Sequence, residues 1–373
     1  MTTTRRTLLA GSATLPFLGH AALAQPRTIT VGYQLPLTGE FSQYGERFRN
    51  SAVMALEAFN ASRRIPAQVN ILFEDTRSDP REAVAVARKF VDNREIVAVL
   101  GDFSSSASIQ AGRVYAEAGM PQLSQTASHP DFVKVSPWQF RNITTQAYEG
   151  PHVARWMAAS GVKRVAVVAI QNDWGQSVVS NFVDAFKATG GEVVATQMYN
   201  PGNREFRAIL TDIARTRPDA IYLGMFYEDG ASFLQQRRQL NIRAAVYGTS
   251  SMYEPKLIEL AGPGAEGMFL STSFMAESPE AHVKAYVEEY TRRFRSEPNM
   301  FSAQAFDAVN IMLEAIARTW PDVTRQRVRD ELARTKDFPG VTGATTFDPE
   351  TREPAKTLAR MRIQDGKFTL LPN

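Results

Sequence analysis

From Ile29 onward, short runs of consecutive apolar residues alternate with longer stretches whose apolar residues recur at spacings of three and four. That alternation predicts parallel βα units, and the unbroken runs predict strands covered on both faces. Strands are expected at Ile29–Gln34, Val69–Glu74, Val97–Gly101, Pro121–Ser124, Val165–Ile170, Glu192–Tyr199, Ala220–Leu223, Ala245–Gly248 and Met268–Thr272. The helical spacing covers Tyr44–Ser62, Pro80–Asn93, Ala107–Ala118, Glu149–Ala159, Gly175–Ala188, Phe206–Thr216, Asp229–Leu240 and Glu254–Leu260. Asp79 before Pro80 reads as an N-cap followed by proline at the first helical position, and Gly161 and Gly190 stand just past helix ends. After Thr272 three helical segments follow in a row, Pro279–Arg295, Ser302–Thr319 and Val323–Arg334. Two short strands, Ala359–Gln364 and Phe368–Leu370, close the chain.

Residues 26–145 and 146–272 share the same βαβαβ rhythm without repeating any sequence. The pattern therefore predicts an α/β fold of two doubly wound parallel-sheet lobes. The tail is too small for a third domain and is divided between them. The expected division is 25–145 with 273–335 in the first lobe and 146–272 with 336–373 in the second. The chain would then cross between lobes several times, forming a hinge.

Ahead of this pattern, Thr4-Arg5-Arg6-Thr7-Leu8-Leu9 leads into an uncharged stretch closed by Ala22-Leu23-Ala24. Paired arginines, a moderately apolar segment and a small-x-small signal make residues 1–24 an export leader of the twin-arginine or general secretory type, with cleavage expected after Ala24. Gly11, Ser12, Thr14, Pro16, Gly19 and His20 interrupt the run, which argues against a membrane anchor. No later apolar run is long enough to span a bilayer, so the expected location is the periplasm.

Charge and composition narrow the chemistry. The 373 residues include 42 basic and 39 acidic side chains; removing Arg5 and Arg6 with the leader leaves 40 against 39. Basic and acidic residues alternate along the helices instead of clustering, which argues against nucleic acid as a partner. The absence of cysteine excludes disulfides, thiolate metal sites, cysteine nucleophiles and lipid attached through cysteine. Gly262-Pro263-Gly264-Ala265-Glu266-Gly267 matches a dinucleotide fingerprint in letters only, because a helix precedes it and a strand follows, the reverse of what a pyrophosphate site needs. No phosphate-loop or serine-elbow motif occurs. His129, beside Pro130 and Asp131, is the one candidate base of a Ser/His/Asp enzyme, and a turn histidine is the simpler reading. No histidine pair has metal-ligand spacing.

The informative positions lie at predicted strand ends. Gly101-Asp102-Phe103-Ser104-Ser105-Ser106 joins a strand to a helix, where hydroxyls and unpaired amides make an anion site at the carboxyl edge of a parallel sheet. Ser124-Gln125-Thr126-Ala127-Ser128 occupies the same position on the next strand, so two polar loops could grip one carboxylate. Tyr44, Trp174 and Phe226-Tyr227 follow other strands in both halves and suit an apolar-walled cleft.

These residues resemble a known family: the solute-binding proteins of ABC-type uptake systems, of the branched-chain amino acid (leucine/isoleucine/valine) type. The resemblance runs over the whole mature chain. It is carried by Pro36-Leu37-Thr38-Gly39 with Tyr44-Gly45, Glu74-Asp75 with Asp79-Pro80 and Ala83-Val84, Gly101 with Ser104–Ser106, Asn172-Asp173-Trp174-Gly175, Asp219-Ala220-Ile221-Tyr222 and Ala265-Glu266-Gly267. It implies a type I periplasmic binding fold with three crossovers, lobe closure over a small carboxylate-bearing solute, delivery to an inner-membrane permease, no catalysis and no cofactor. By position, Ser105, Ala127 and Ser128 would hold the carboxylate, Tyr44 and Trp174 would line the side-chain pocket, and Phe226 or Tyr227 would close it. Where amino-acid binders of this kind place a glutamate for the ligand ammonium, this chain has Thr249-Ser250-Ser251. Either Glu228 or Asp173 supplies that charge, or the ligand is an amine-free carboxylate or an amide. The candidate ligand-binding set is thus Tyr44, Ser104, Ser105, Ser106, Ala127, Ser128, Trp174, Phe226, Tyr227, Glu228 and Ser250, on a monomeric chain. A solute sensor serving a separate receptor is the alternative in another class, and an exported α/β hydrolase a third.

Overall fold

The computed structural model describes residue 2, residues 27–354 and residues 356–372; the leader at residues 1–24 lies outside them except for Thr2. Within the described residues the elements are, in chain order, β1 Arg27–Leu35, α1 Ser42–Ser62, β2 Ala67–Asp75, α2 Pro80–Asp92, β3 Ile96–Leu100, α3 Ser105–Glu117, β4 Gln122–Ser124, β5 Gln139–Arg141, α4 Gln146–Ala159, β6 Arg164–Ile170, α5 Asp173–Ala188, β7 Glu192–Tyr199, α6 Arg207–Arg215, β8 Ala220–Gly224, α7 Tyr227–Gln239, β9 Ala245–Gly248, α8 Pro255–Ala261, β10 Phe269–Thr272, α9 Ala281–Phe294, α10 Met300–Thr319, α11 Arg325–Ala333, β11 Phe338–Gly340, β12 Gly343–Thr345, β13 Ala359–Gln364 and β14 Lys367–Leu370. The first lobe holds a parallel sheet in the order β2-β1-β3-β4-β5. The second holds β14-β13-β10-β9-β8-β6-β7, parallel from β10 to β7, with β13 and β14 added antiparallel. Val165–Ile170 is buried at every residue, as its unbroken apolar run requires between two helical layers.

Helices on the cleft side start earlier than their apolar spacing predicts. α1 begins at Ser42, α3 at Ser105, α4 at Gln146, α5 at Asp173 and α7 at Tyr227, each two or three residues ahead. The first-turn residues added there are mostly polar (Ser42, Gln43, Ser105, Ser106, Gln146, Asp173 and Glu228), so apolar periodicity does not register them. Side-chain caps fix the true starts: Ser104 accepts from Ala107 N, Thr145 from Tyr148 N and Asn172 from Gly175 N. Asp79 caps α2 ahead of Pro80, as its sequence predicts.

The tail corrects the expected division of the chain. Residues 336–354 pack on the first lobe. Their β11–β12 hairpin is held by Asp307 of α10, which accepts from Val341 N at 2.8 Å and Thr342 N at 2.9 Å, and Phe347 packs on Phe140 at 5.6 Å. Only β13 and β14 rejoin the second lobe. β4 is equally short but falls within the predicted Pro121–Ser124, whereas β5 and the two hairpin strands lie outside every apolar run that predicts a strand. The chain crosses between lobes three times, before α4, after β10 and before β13.

Arg141, on β5, is fully buried and shapes the edge of the cleft. Its guanidinium donates to Ala127 O at 2.7 Å, His129 O at 2.8 Å and Pro130 O at 3.3 Å. Its Nε also lies 3.0 Å from Glu353, an ion pair off the line of a good hydrogen bond. Burial lowers this guanidinium to about 10. Arg141→Met should cost about 3 kcal/mol in a denaturant unfolding experiment, because three carbonyls and a carboxylate lose their donor together. A loss under about 1 kcal/mol would show that the Ala127–Pro130 loop holds its shape without it.

Candidate functional site

The cleft contains a cavity of about 260 Å³ at the carboxyl ends of both parallel sheets, the position ligands take in this architecture. First-lobe walls come from Phe41, Ser78, Pro80, Phe103, Ser104, Ser105, Ser106, Thr126 and Ser128; Ile143 and Gln146 come from the first crossover and the start of α4. Asn172, Trp174, Pro201, Phe226, Ser250 and Ser251 face them from the second lobe, and Met300 and Phe301 from α10. None of these side chains is charged.

Aromatic rings form the apolar wall. Trp174 stacks on Phe226 with centroids 5.0 Å apart, and Phe226 meets Phe41 at 5.5 Å and Phe103 at 5.4 Å across the cleft. Phe301 adds an edge to Phe103 at 5.6 Å. The polar wall is the first turn of α3, where Ser105 and Ser106 carry N–H groups with no acceptor inside the helix. Ser128 lies beside it, and Thr126 donates to Phe103 O at 2.9 Å.

Of the residues singled out from sequence, Ser104, Ser105, Ser106, Ser128, Trp174, Phe226 and Ser250 border the cavity; Tyr44, Ala127, Tyr227 and Glu228 do not. Tyr44 is fully buried one layer behind the wall, stacked on Phe103 at 4.7 Å, and Tyr227 packs edge-on against it. Ala127 turns inward, with its N–H on Ser124 Oγ and its carbonyl on Arg141. Phe41, Phe103 and Phe301 were missed. Phe301 is far along the chain from the strand-end loops, so no local pattern could place it.

The acids expected to replace the family glutamate face elsewhere. Glu228 accepts from Tyr44 OH at 3.0 Å and from Gln43, and Asp173 accepts from Ser106 Oγ at 2.8 Å. Both are spent on contacts between lobes, alongside the Arg47–Glu254 ion pair at 2.9 Å. These contacts exist only with the lobes together, so they favour the closed state without touching solute. Glu228→Ala should therefore weaken solute binding about tenfold, measured by calorimetry, mainly through faster release; an unchanged affinity would remove this contact from closure.

The carboxylate that does meet Thr249-Ser250-Ser251 is Glu149, a first-turn acid of α4 more than 100 positions away in the chain. It accepts from Ser250 N at 2.7 Å, Ser271 Oγ at 2.9 Å and Gln146 Nε2 at 2.8 Å, and is buried. Burial pushes its carboxyl above the usual range, against the pull of those donors.

Asp102 plays the same part under the first-lobe loop. It accepts from the hydroxyls of Thr76 and Ser78 and from Phe103 N, so it sets the loop that presents Ser104–Ser106. Burial raises its carboxyl to about 6. The folded protein thus keeps this proton up to about pH 6, whereas the unfolded chain releases it near 3.8. Stability from the protonated group is complete below about pH 4 and is lost as pH rises to 6, by about 3 kcal/mol in all. Unfolding free energies of the native chain minus those of Asp102→Asn should fall by that order between pH 4 and 7; a flat difference would contradict the buried charge.

Three residues quoted for the family resemblance, Asp75, Gly45 and Gly175, have a structural reason. Asp75 ties down the Pro36–Gly39 turn by accepting from Leu37 N at 2.8 Å and Thr38 N at 3.3 Å. Gly45 and Gly175 let α1 and α5 rest on the strand ends, where a β-carbon would stand 1.7 Å from Pro36 O and 1.9 Å from Ile170 O. The letters of the dinucleotide fingerprint fall in a 3₁₀ turn between α8 and β10. His129 accepts from Asp131 N at 3.1 Å through its Nδ1, a local turn bond, and no group of three metal-ligating side chains occurs among the described residues.

The sequence model of the family described as "Periplasmic binding protein" matches residues 28–367. The chain belongs to that family. Among its relatives is the leucine-, isoleucine-, valine-, threonine- and alanine-binding protein of Pseudomonas aeruginosa, 25% identical over 344 residues that cover 91% of each chain. A Rhodospirillum rubrum protein provisionally assigned to branched-chain amino acid ABC transport has a crystal structure 46% identical to this chain, with a TM-score of 0.73 over 92% of this chain and 100% of that one. A solute-binding protein of an ABC transporter from R. palustris, crystallised with benzoate, shares the fold at 20% identity, with a TM-score of 0.84 over 92% and 95%. Membership accounts for the two lobes, the three crossovers and the cavity between them.

Proposed function

We propose that this family member is the solute-binding component of an ABC importer, working in the periplasm after export. It captures a small carboxylate with an apolar body and passes it to an inner-membrane permease. The observation that carries this reading is one cavity with an aromatic wall from both lobes and the first turn of α3 as its polar wall. Amides at a helix N-terminus suit a carboxylate, and the rings suit an aliphatic or aromatic body. Solute contacts on both lobes would favour closure, and the chain would act by binding without turnover. The relative from P. aeruginosa, named for aliphatic amino acids, makes those the first solutes to try.

A second reading is favoured by the uncharged lining: the carboxylate carries no ammonium. Glu228 and Asp173 are engaged between lobes, and a buried ammonium without a carboxylate partner costs several kcal/mol. Thermal shift on protein stripped of solute by unfolding and refolding would compare leucine, isoleucine and valine with amine-free carboxylates. A saturable rise with any of them supports the binding role. No rise with any carboxylate would remove it.

A further inference from the structure

Gln146 borders the cavity at the start of α4, is 2% exposed, and has one amide atom unused. Its Nε2 donates to Glu149 at 2.8 Å and approaches Ser128 Oγ at 3.4 Å, while its Oε1 is buried without a hydrogen-bond partner. The orientation is set by Glu149. That carboxylate already takes Ser250 N–H and Ser271 O–H on one oxygen, and its other oxygen needs a donor, so the amide nitrogen faces it and the amide oxygen is left over. A buried acceptor without a donor costs about 1–3 kcal/mol, a cost a solute can remove by donating to it.

The position of this acceptor restricts the donor. Gln146 N–H also bonds Ser128 O at 3.0 Å, so its side chain sits beside the loop that faces the first turn of α3. For a solute whose carboxylate is held there, the carbon next to that carboxylate is the nearest place to carry a donor for Oε1. An ammonium at that point would need three acceptors and a counter-charge; a hydroxyl needs one acceptor. We infer that the solute is a 2-hydroxy carboxylate with an apolar body and that Gln146 is the residue that reads its hydroxyl. This deepens the carboxylate reading above and rests on it.

Calorimetry on the refolded, solute-free protein tests it with matched sets: 2-hydroxy-4-methylpentanoate, 4-methylpentanoate and leucine, then mandelate and phenylacetate. In at least one set the hydroxy acid should bind about tenfold or more tighter than its deoxy partner. Gln146→Met should bring that ratio close to one, costing the hydroxy acid more than its deoxy partner, whereas a merely structural role would weaken both alike. Equal binding of both partners by the native chain would overturn the hydroxyl inference and leave the carboxylate reading standing. Leucine binding tighter than its hydroxy analogue would also overturn it, since the site would then read an ammonium. If no carboxylate binds, both readings fall. The comparison on the native chain decides the matter even if the variant fails to fold.

Discussion

Trp174→Ala should weaken binding of the transported solute about 100-fold while the solute-free protein melts within a few degrees of the parent. The indole is stacked on Phe226 and forms part of the second-lobe wall, so its loss opens the cavity and removes the largest apolar surface offered to the solute. Anchors of this kind, aromatic and central to a closed pocket, commonly carry about 2–4 kcal/mol. The helix behind it has independent support: Asn172 still caps Gly175 N at 2.8 Å, and Val178, Phe182 and Phe186 keep α5 buried against the sheet. Calorimetry with the solute identified by thermal shift, together with a melt of the free protein, separates the two effects. Unchanged affinity would take Trp174 out of the site, and a collapsed melt would assign it to the fold.

The largest effect on stability should come from the adjacent residue. Gly175→Ala places a methyl group 1.9 Å from the carbonyl oxygen of Ile170 and 2.9 Å from its carbon, and both belong to the backbone of a buried central strand. Neither a rotamer change nor a small side-chain shift relieves such a contact, so α5 must move off β6. The expected cost is about 3 kcal/mol or more, a fall in melting temperature of roughly 4 °C or more for a chain of this length. Because α5 carries Trp174, solute affinity should fall as well. A melt indistinguishable from the parent would mean that the close approach of α5 to the strand end is not required.

The two effects show what a motif letter records. In Asn172-Asp173-Trp174-Gly175, the asparagine caps the helix, the aspartate bonds Ser106 of the other lobe, the tryptophan faces the cavity and the glycine permits the contact with β6. Resemblance to a family located this stretch from sequence, but the four separate duties appear only in three dimensions. Glu228 illustrates the converse. As an acid at the start of a helix beside a strand-end loop it was a reasonable partner for an ammonium, yet its carboxylate reaches Gln43 and Tyr44 across the cleft and leaves the cavity without an acid.

The sequence by itself determined the two α/β lobes, the order of their elements and the strand ends at which polar and aromatic loops gather, because apolar periodicity and strand-to-helix succession are local properties. The tertiary structure alone decided which of those loop residues share a cavity. It also assigned Phe301 to the wall, placed residues 336–354 on the first lobe and set Glu149 beneath Ser250. Each of these depends on contacts between residues more than 100 positions apart or on hairpins of three-residue strands. A buried carboxylate that orients a glutamine has the same letter as a solvated one, and only its burial and its three donors tell them apart.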